Sequence, residues 1–120
     1  MSRQTLFKFP LLPRKKNTDK RDYGHTLVLA GSKSMTGAAV LTSQAALVSG
    51  SGLVTLGAPK SLFKKNARLP LEAMRLELPE TFAGTLAASS YSKIMEFIQK
   101  RGISCAAIGP GLSQDSRTAS

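Results

Sequence analysis

The fold is decided by residues 26–49, TLVLAGSKSMTGAAVLTSQAALVS. The apolar run Thr26–Ala30 lacks polar alternation, which is typical of a strand buried on both faces in a parallel sheet. The loop Gly31–Met35 follows, and Thr36 is predicted to be an N-cap, because its hydroxyl can accept a hydrogen bond from a free first-turn N–H. Within Gly37–Ser49, four apolar residues are followed by three polar residues and then by four more apolar residues. This pattern predicts a mostly buried helix with its polar residues in one stripe.

The alternation of strand and helix patterns continues towards the carboxyl end. We expect strands at 53–58, 73–78 and 103–108, a short basic helix at 60–68 and an amphipathic helix at 91–100. Gly50 or Gly52 is expected to end the helix at 37–49, and Gly102 to end the amphipathic helix. Such alternation predicts an α/β fold, an open, mostly parallel sheet with flanking helices. The chain stops twelve residues after the last expected strand. The domain that begins at residue 23 is therefore expected to be incomplete at residue 120.

The basic charge of the chain is confined to its first half. Among 120 residues, 17 Lys and Arg against 7 Asp and Glu give a net charge of +10. Residues 1–68 hold twelve basic and two acidic side chains, and residues 69–120 hold five of each. Residues 1–22, interrupted by Pro10 and Pro13, are expected to form a basic, irregular lead-in. Hydrophobic residues make up 42%, which excludes a disordered polyelectrolyte.

Single Cys and His residues limit the chemistry of the chain. One cysteine and one histidine exclude an intramolecular disulfide framework and a His/Cys metal centre within this chain. Cys105 lies in an apolar run and is expected to be a buried core residue. His25 is expected to be a structural hydrogen-bonding residue. No segment reaches the roughly 18 apolar residues that span a bilayer, so a cytoplasmic protein with no membrane partner is expected.

The positive charge by itself invites a nucleic-acid partner. Aromatic residues make up only 6% of the chain, and the predicted helix Gly37–Ser49 contains no basic residue. Nucleic-acid binding calls for aromatic stacking platforms or a basic reading helix. We therefore predict no nucleic-acid partner, and a basic, non-catalytic binding module is left as an alternative.

Two glycine loops are candidates for a ligand site. In open α/β sheets, ligands bind beyond the carboxyl ends of the strands, where the strand order reverses. The loop from Gly31 to Ala38 and the loop Gly109–Gly111 both follow predicted strands there. Glycine allows a close backbone approach, and a helix that begins near Thr36 offers free N–H groups to an anion. Ala38-Ala39 follow the glycine at 37, so neither a dinucleotide fingerprint nor a Walker A loop is present. On pattern alone, ligand loops and plain tight turns both stay open.

No catalytic residue is visible in the pattern. A Ser-His-Asp or Cys-His set cannot be assembled from the chain, and Glu72, Glu77 and Glu80 do not suggest an acid/base pair.

The loops and strands carry a recognisable family signature. The sequence resembles the N-terminal part of the ADP/ATP-dependent NAD(P)H-hydrate dehydratases, which have a carbohydrate-kinase-like domain of ribokinase-like fold. The resemblance covers nearly everything from Leu12 onward, with its motifs at residues 23–32, 35–39, 49–55, 72–74 and 108–112.

The resemblance implies a function and a set of contacts. The family repairs hydrated NADH and NADPH: ADP or ATP phosphorylates the hydroxyl of the hydrate, elimination follows, and the reduced cofactor is restored. By resemblance, Thr36, Gly37 and Ala38 would contact the hydrated nicotinamide nucleotide, and Gly109 and Gly111 would form a second contact. Mg²⁺ and assembly into a homotetramer are also implied.

Two departures from the family pattern limit what the resemblance implies. Members usually carry His-Lys-Gly where this chain has Asp19-Lys20-Arg21. The family's nucleotide-binding segment and its Gly-Thr/Ser-Gly-Asp motif, with the catalytic aspartate, lie in the second half of the domain. The full-length protein is therefore expected to be the enzyme, and these 120 residues alone to be inactive.

Three alternatives to this function stay open. One is a ribokinase-like kinase of a thiamin-precursor alcohol, which the Gly-Ser-x-x-Met-Thr-Gly-Ala sequence of residues 31–38 disfavours. The others are the basic binding module and a remnant that persists only as an interaction fragment.

Overall fold

The computed structural model describes residues 23–65 and 69–114 and contains every predicted element within them. The predicted lead-in at 1–22 and the end of the predicted basic helix, residues 66–68, lie outside these ranges. The elements are β1 (His25–Leu29), α1 (Thr36–Val48), β2 (Leu53–Pro59), α2 (Lys60–Lys65), β3 (Met74–Leu78), α3 (Ser90–Arg101) and β4 (Cys105–Ile108).

The four strands form one parallel sheet in the order β3-β2-β1-β4. In the register, Leu27 of β1 lies beside Thr55 of β2 on one side and Ala106 of β4 on the other. The chain leaves β1 towards β2 and returns to the other side of β1 at β4. The strand order therefore reverses between β1 and β4, and the predicted parallel α/β sheet is confirmed.

Helices cover both faces of the sheet because the strand side chains alternate between two cores. Val28 of β1 packs in one core, with Leu62 and Phe63 of α2 and Ala39 of α1. Leu27 and its face of the sheet pack in the other core, against the three apolar side chains of α3: Ile94, Phe97 and Ile98. The result is a three-layer arrangement with the sheet in the middle.

Helix α1 differs from the prediction at its start and in its burial. Thr36 is the first helical residue and not the N-cap; Met35 takes that position without a side-chain cap hydrogen bond. A turn in which the Met35 N–H donates to the Ser32 carbonyl at 3.1 Å already directs the chain into the helix. Only Ala39 and Ser43 are buried. The helix is therefore not mostly buried, because the described residues cover only its sheet-facing side.

The predicted glycine helix ends are confirmed. Gly50 has a φ of +100°, and the N–H groups of Gly50 and Ser51 donate to the carbonyls of Leu47 and Ala46 at the end of α1. Gly102 ends α3 with a φ of +63°. Among the helices that the structure describes, none is long and apolar enough to cross a membrane.

Strand β4 is more exposed than its apolar sequence predicted. Cys105 is exposed, although its apolar surroundings in the sequence predicted burial. In the described part of the chain, β4 pairs only with β1, and Ile108 is 64% exposed. An apolar strand is buried only when neighbours cover it, and the sequence pattern reports the strand but not those neighbours.

His25 is a structural residue, as predicted. Its side chain is buried, and Nε2 lies 2.7 Å from Thr55 Oγ1 of the neighbouring strand. The ring packs edge-on against Phe97 of α3, with 6.0 Å between ring centroids. It joins β1, β2 and α3 at the amino end of the sheet, away from both glycine loops.

The stability of the chain is expected to depend on pH through His25. Burial, and then the charge of Arg101, hold the pKa of His25 below its usual value of about 6.5. The usual value applies to the unfolded chain and the lowered value to the folded chain. At a pH between the two, the unfolded chain binds more protons than the folded chain. The free energy of unfolding therefore decreases as the pH falls below 6.5. Urea unfolding from pH 8 to pH 5 measures this loss. His25→Gln should flatten the profile, and an unchanged slope in that variant would contradict the assignment.

Candidate functional site

The two glycine loops meet where the strand order reverses. The loop after β1 begins at Gly31, and the loop after β4 contains Gly109, Pro110 and Gly111. The Gly31 N–H donates to the Pro110 carbonyl at 2.8 Å, and the Gly109 N–H donates to the Leu29 carbonyl at 3.2 Å. Because parallel strands end at the same edge of a sheet, these bonds join the loops into one surface. Open α/β sheets bind ligands at this position.

Two glycines allow this close approach. A Cβ added to Gly111 would lie 2.6 Å from Ala38 Cβ, and one added to Gly31 would lie 2.5 Å from Leu62 Cδ1. Both glycines have positive φ angles, +71° and +86°. Any other residue at either position would strain the backbone. A side chain at Gly111 would also push its loop away from α1, and one at Gly31 would crowd Leu62 and Ala39 in the core. The sequence thus fixes a backbone-lined surface at this edge.

Two other glycines leave the surface open. Nothing lies within 4 Å of a Cβ added to Gly37 or Gly109, and both residues are exposed. Gly37 belongs to the first turn of α1, which carries no acidic residue. No described residue accepts a hydrogen bond from the N–H groups of Thr36, Gly37 or Ala38. Free N–H groups at the positive end of a helix bind phosphate and other anions.

The five residues predicted for the site therefore occupy one region. Ala38 contacts the Gly111 loop directly, and Thr36 and Gly37 lie on the same helical turn. Gly109 is at the outer rim of the surface. Their contact with a ligand stays a prediction.

Ser32 is a polar residue of this region that sequence reasoning missed. Its hydroxyl is fully buried and has no hydrogen-bond partner among the described residues. A buried polar group left without a partner costs about 1–3 kcal/mol. The only sequence signal that could have identified Ser32 is its position directly after Gly31, in the loop where the site begins.

A cavity of about 640 Å³ adjoins the site and was also missed. Its polar lining includes Lys33 from the loop after β1, Ser61 after β2 and Glu80 after β3. Ser61 Oγ donates to Glu80 Oε2 at 2.6 Å. Each of these residues follows a predicted strand within a few positions. Because ligands bind beyond the carboxyl ends of the strands in open α/β sheets, all three could have been named as candidate site residues from the sequence.

The described residues do not form a metal centre built from protein side chains alone. Mg²⁺ is usually held by one or two carboxylates together with substrate phosphates. No group of three or more His, Cys, Asp and Glu side chains that could hold a metal occurs within 23–65 and 69–114. These ranges also contain no aspartate.

Comparison with known proteins gives a consistent result. Residues 26–120 match the family model described as NAD(P)H-hydrate dehydratase. The chain is 38% identical over 108 residues to a bifunctional NAD(P)H-hydrate repair enzyme of Moorella thermoacetica, covering 89% of this chain and 20% of that protein. It is 32% identical over 113 residues to an ADP-dependent (S)-NAD(P)H-hydrate dehydratase of Staphylococcus aureus, covering 93% of this chain and 36% of that protein. The chain thus spans about a fifth to about a third of the length of these relatives.

Solved structures show the same architecture. A ribokinase-like superfamily protein of Enterococcus faecalis superposes with a TM-score of 0.68 at 22% identity, covering 88% of this chain and 33% of that one. A protein of Streptococcus mutans superposes with a TM-score of 0.66 at 27% identity, covering 88% and 34%.

Proposed function

Because this chain belongs to the NAD(P)H-hydrate dehydratase family, we propose that it supplies part of the substrate site of an enzyme that repairs hydrated NADH and NADPH. Its fold is ribokinase-like. The observation that carries the proposal is the meeting of the open α1 amino terminus with the Gly109–Gly111 loop. A phosphate-rich, planar ligand suits this surface of free N–H groups and exposed glycine backbone.

In the proposed reaction, the hydroxyl oxygen of the hydrate attacks a phosphoryl group of the donor nucleotide. With ADP as donor, AMP leaves; the new phosphate ester then loses inorganic phosphate, and the reduced nicotinamide ring is restored. The residues of this chain bind and orient the substrate: the first turn of α1 holds its phosphates, and Gly37 and Gly109 allow the ligand to approach the backbone. We expect the residue that accepts the hydroxyl proton to lie in the catalytic aspartate motif that the family resemblance places outside these 120 residues.

We propose ADP as the donor. Relatives from Staphylococcus aureus and Streptococcus pneumoniae are named ADP-dependent dehydratases. ATP is the alternative donor. Mg²⁺ is expected to accompany the nucleotide in the whole protein.

We expect the 120-residue chain to bind the substrate without turning it over. Incubation with hydrated NADH, Mg²⁺ and either ADP or ATP should not restore the absorbance of the reduced nicotinamide. Titration with hydrated NADPH should nevertheless shift the amide NMR signals of residues 36–38 and 109–111.

The two measurements test the expected inactivity and the proposed substrate site separately. Turnover by this chain would contradict its expected inactivity. An absence of shifts at both loops would overturn the proposed substrate site. A thiamin-precursor alcohol serves as the matched ligand control, and shifts caused only by that alcohol would favour the small-alcohol kinase.

Assembly and location are also proposed on the resemblance. We expect the whole protein to form a cytoplasmic homotetramer. The exposed apolar side chains Leu41 and Val48 on α1 and Leu71 before β3 offer surface for other parts of such an assembly. We expect no nucleic-acid or membrane partner.

A further inference from the structure

We propose that the cavity beside the glycine loops binds the adenosine half of the dinucleotide, and that Glu80 makes this subsite prefer hydrated NADH over hydrated NADPH. The inference rests on the proposed function and adds a subsite and a specificity-determining residue. The cavity lies along the same carboxyl edge of the sheet and is bounded by the loop after β1, the first turn of α2 and the segment after β3. Its volume of about 640 Å³ lies within the range of small-molecule sites.

Glu80 is held in position to accept hydrogen bonds. One carboxylate oxygen, Oε2, accepts a hydrogen bond from Ser61 Oγ at 2.6 Å. The other oxygen accepts none from a described residue, and no described cation forms an ion pair with this carboxylate. A carboxylate with one fixed and one open oxygen suits a ribose hydroxyl, as acidic residues do in many dinucleotide sites. The same charge repels a phosphate on the 2′ position of that ribose, which is the group that distinguishes NADPH from NADH.

Lys33 joins the cavity to the glycine loops. It belongs to the loop between β1 and α1, and its side chain lines the cavity. The Lys33 N–H donates to the Gly84 carbonyl at 2.8 Å, and a Cβ added to Gly84 would collide with the Lys33 side chain. This lysine forms no ion pair with any described carboxylate. Its ammonium is therefore available for the diphosphate that links the two halves of a dinucleotide.

Phe82 supplies an apolar surface for the base. It is fully exposed at the rim of the cavity. The turn that carries it is closed by two backbone hydrogen bonds, from the Thr81 N–H to the Thr85 carbonyl at 2.8 Å and from the Gly84 N–H to the Thr81 carbonyl at 3.0 Å. Stacking of a base on an aromatic ring typically gives a measurable gain in binding and tolerates any base.

The test uses probes that contain only the adenosine half. AMP and adenosine 2′,5′-bisphosphate are titrated separately into the 120-residue chain, and amide NMR shifts give the Kd of each. AMP should shift the signals of Lys33, Thr81 and Gly84. The bisphosphate should bind about ten-fold more weakly, the factor that a hydrogen bond to a charged group typically supplies.

Two variants decide whether Glu80 sets the preference. Glu80→Gln should bring the two Kd values together, through weaker binding of AMP, which loses a hydrogen bond to a charged group, and tighter binding of the bisphosphate, which is no longer repelled. Glu77→Gln is the matched control, because this exposed residue lies on β3 outside the cavity lining. It should leave the Kd ratio unchanged. Lys33→Met should weaken both probes.

The results separate this inference from the proposed function. Hydrated nicotinamide mononucleotide, which lacks adenosine, probes the glycine loops alone. If it binds there while AMP causes no shifts around the cavity, the subsite is overturned and the proposed function stands. If both AMP and the bisphosphate bind but Glu80→Gln leaves their ratio unchanged, the specificity role is overturned. If the mononucleotide fails to bind and AMP binds, the proposed function fails and the cavity is a nucleotide site of another kind.

Discussion

Gly31→Ala is expected to lower the free energy of unfolding by roughly 2–5 kcal/mol, the sum of two costs. The first is the left-handed backbone, since Gly31 has a φ of +86°. The second is crowding, because the new Cβ would lie 2.5 Å from Leu62 Cδ1 and 2.8 Å from Ala39 Cβ. Both neighbours belong to the buried core, where a displaced side chain disturbs its own contacts. A loss of this size is a large fraction of the 5–15 kcal/mol that stabilises a typical domain.

Gly102→Ala is the matched control for this prediction. Gly102 also has a left-handed backbone, with a φ of +63°, but nothing lies within 4 Å of its added Cβ. It should therefore show only the backbone cost, about 1–2 kcal/mol. Urea unfolding followed by circular dichroism measures both variants. Equal losses at the two positions would show that the core around Gly31 accepts a methyl group without cost.

Gly37→Ala is expected to change stability and ligand binding in opposite directions. Gly37 lies in α1 and its added Cβ meets nothing, so alanine should stabilise the helix by up to about 1 kcal/mol. The methyl group would occupy the open surface that we assign to the substrate. Binding of hydrated NADPH should weaken roughly ten-fold or more, since a lost close contact to a bound anion costs at least about 1.4 kcal/mol.

Thermal unfolding and NMR titration of the same sample separate the two effects. Gly102→Ala serves again as the control, because its position at the end of α3 is outside both glycine loops. That variant should lose stability and keep its affinity for the ligand. A Gly37→Ala chain that is more stable and binds normally would show that the ligand does not approach this turn of α1.

The sequence predicted most of the fold because its signals are local. The apolar run at 26–30 and the glycines at 50 and 102 gave a parallel strand and two helix ends without any knowledge of neighbours. The errors concern burial and contact. Cys105 and α1 were expected to be buried from their own composition, but exposure depends on which elements lie beside them. Thr36 was expected to cap α1, but the preceding turn already starts the helix there.

The position of the glycine loops was predictable from the sequence, but the cavity beside them was not. The glycine loops follow their strands directly, so the general position of ligands in α/β sheets identified them. The cavity was not predicted, although its polar residues each follow a strand, because the strand order decides which strand ends lie side by side. The family resemblance is confirmed, whereas contacts between individual residues and the substrate stay proposals.

The strand order also has a consequence for the sequence of folding events. β1 is joined to β2 by a single crossover through α1, whereas the contact between Thr26 of β1 and Cys105 of β4 spans 79 residues. Contacts between distant residues form late, because closing a longer loop costs more chain entropy. During synthesis, β1, β2 and β3 leave the ribosome before β4 does. We therefore expect the Gly31–Pro110 hydrogen bond to form after β1, β2 and β3 have paired, so that the glycine surface is completed later than these three strands.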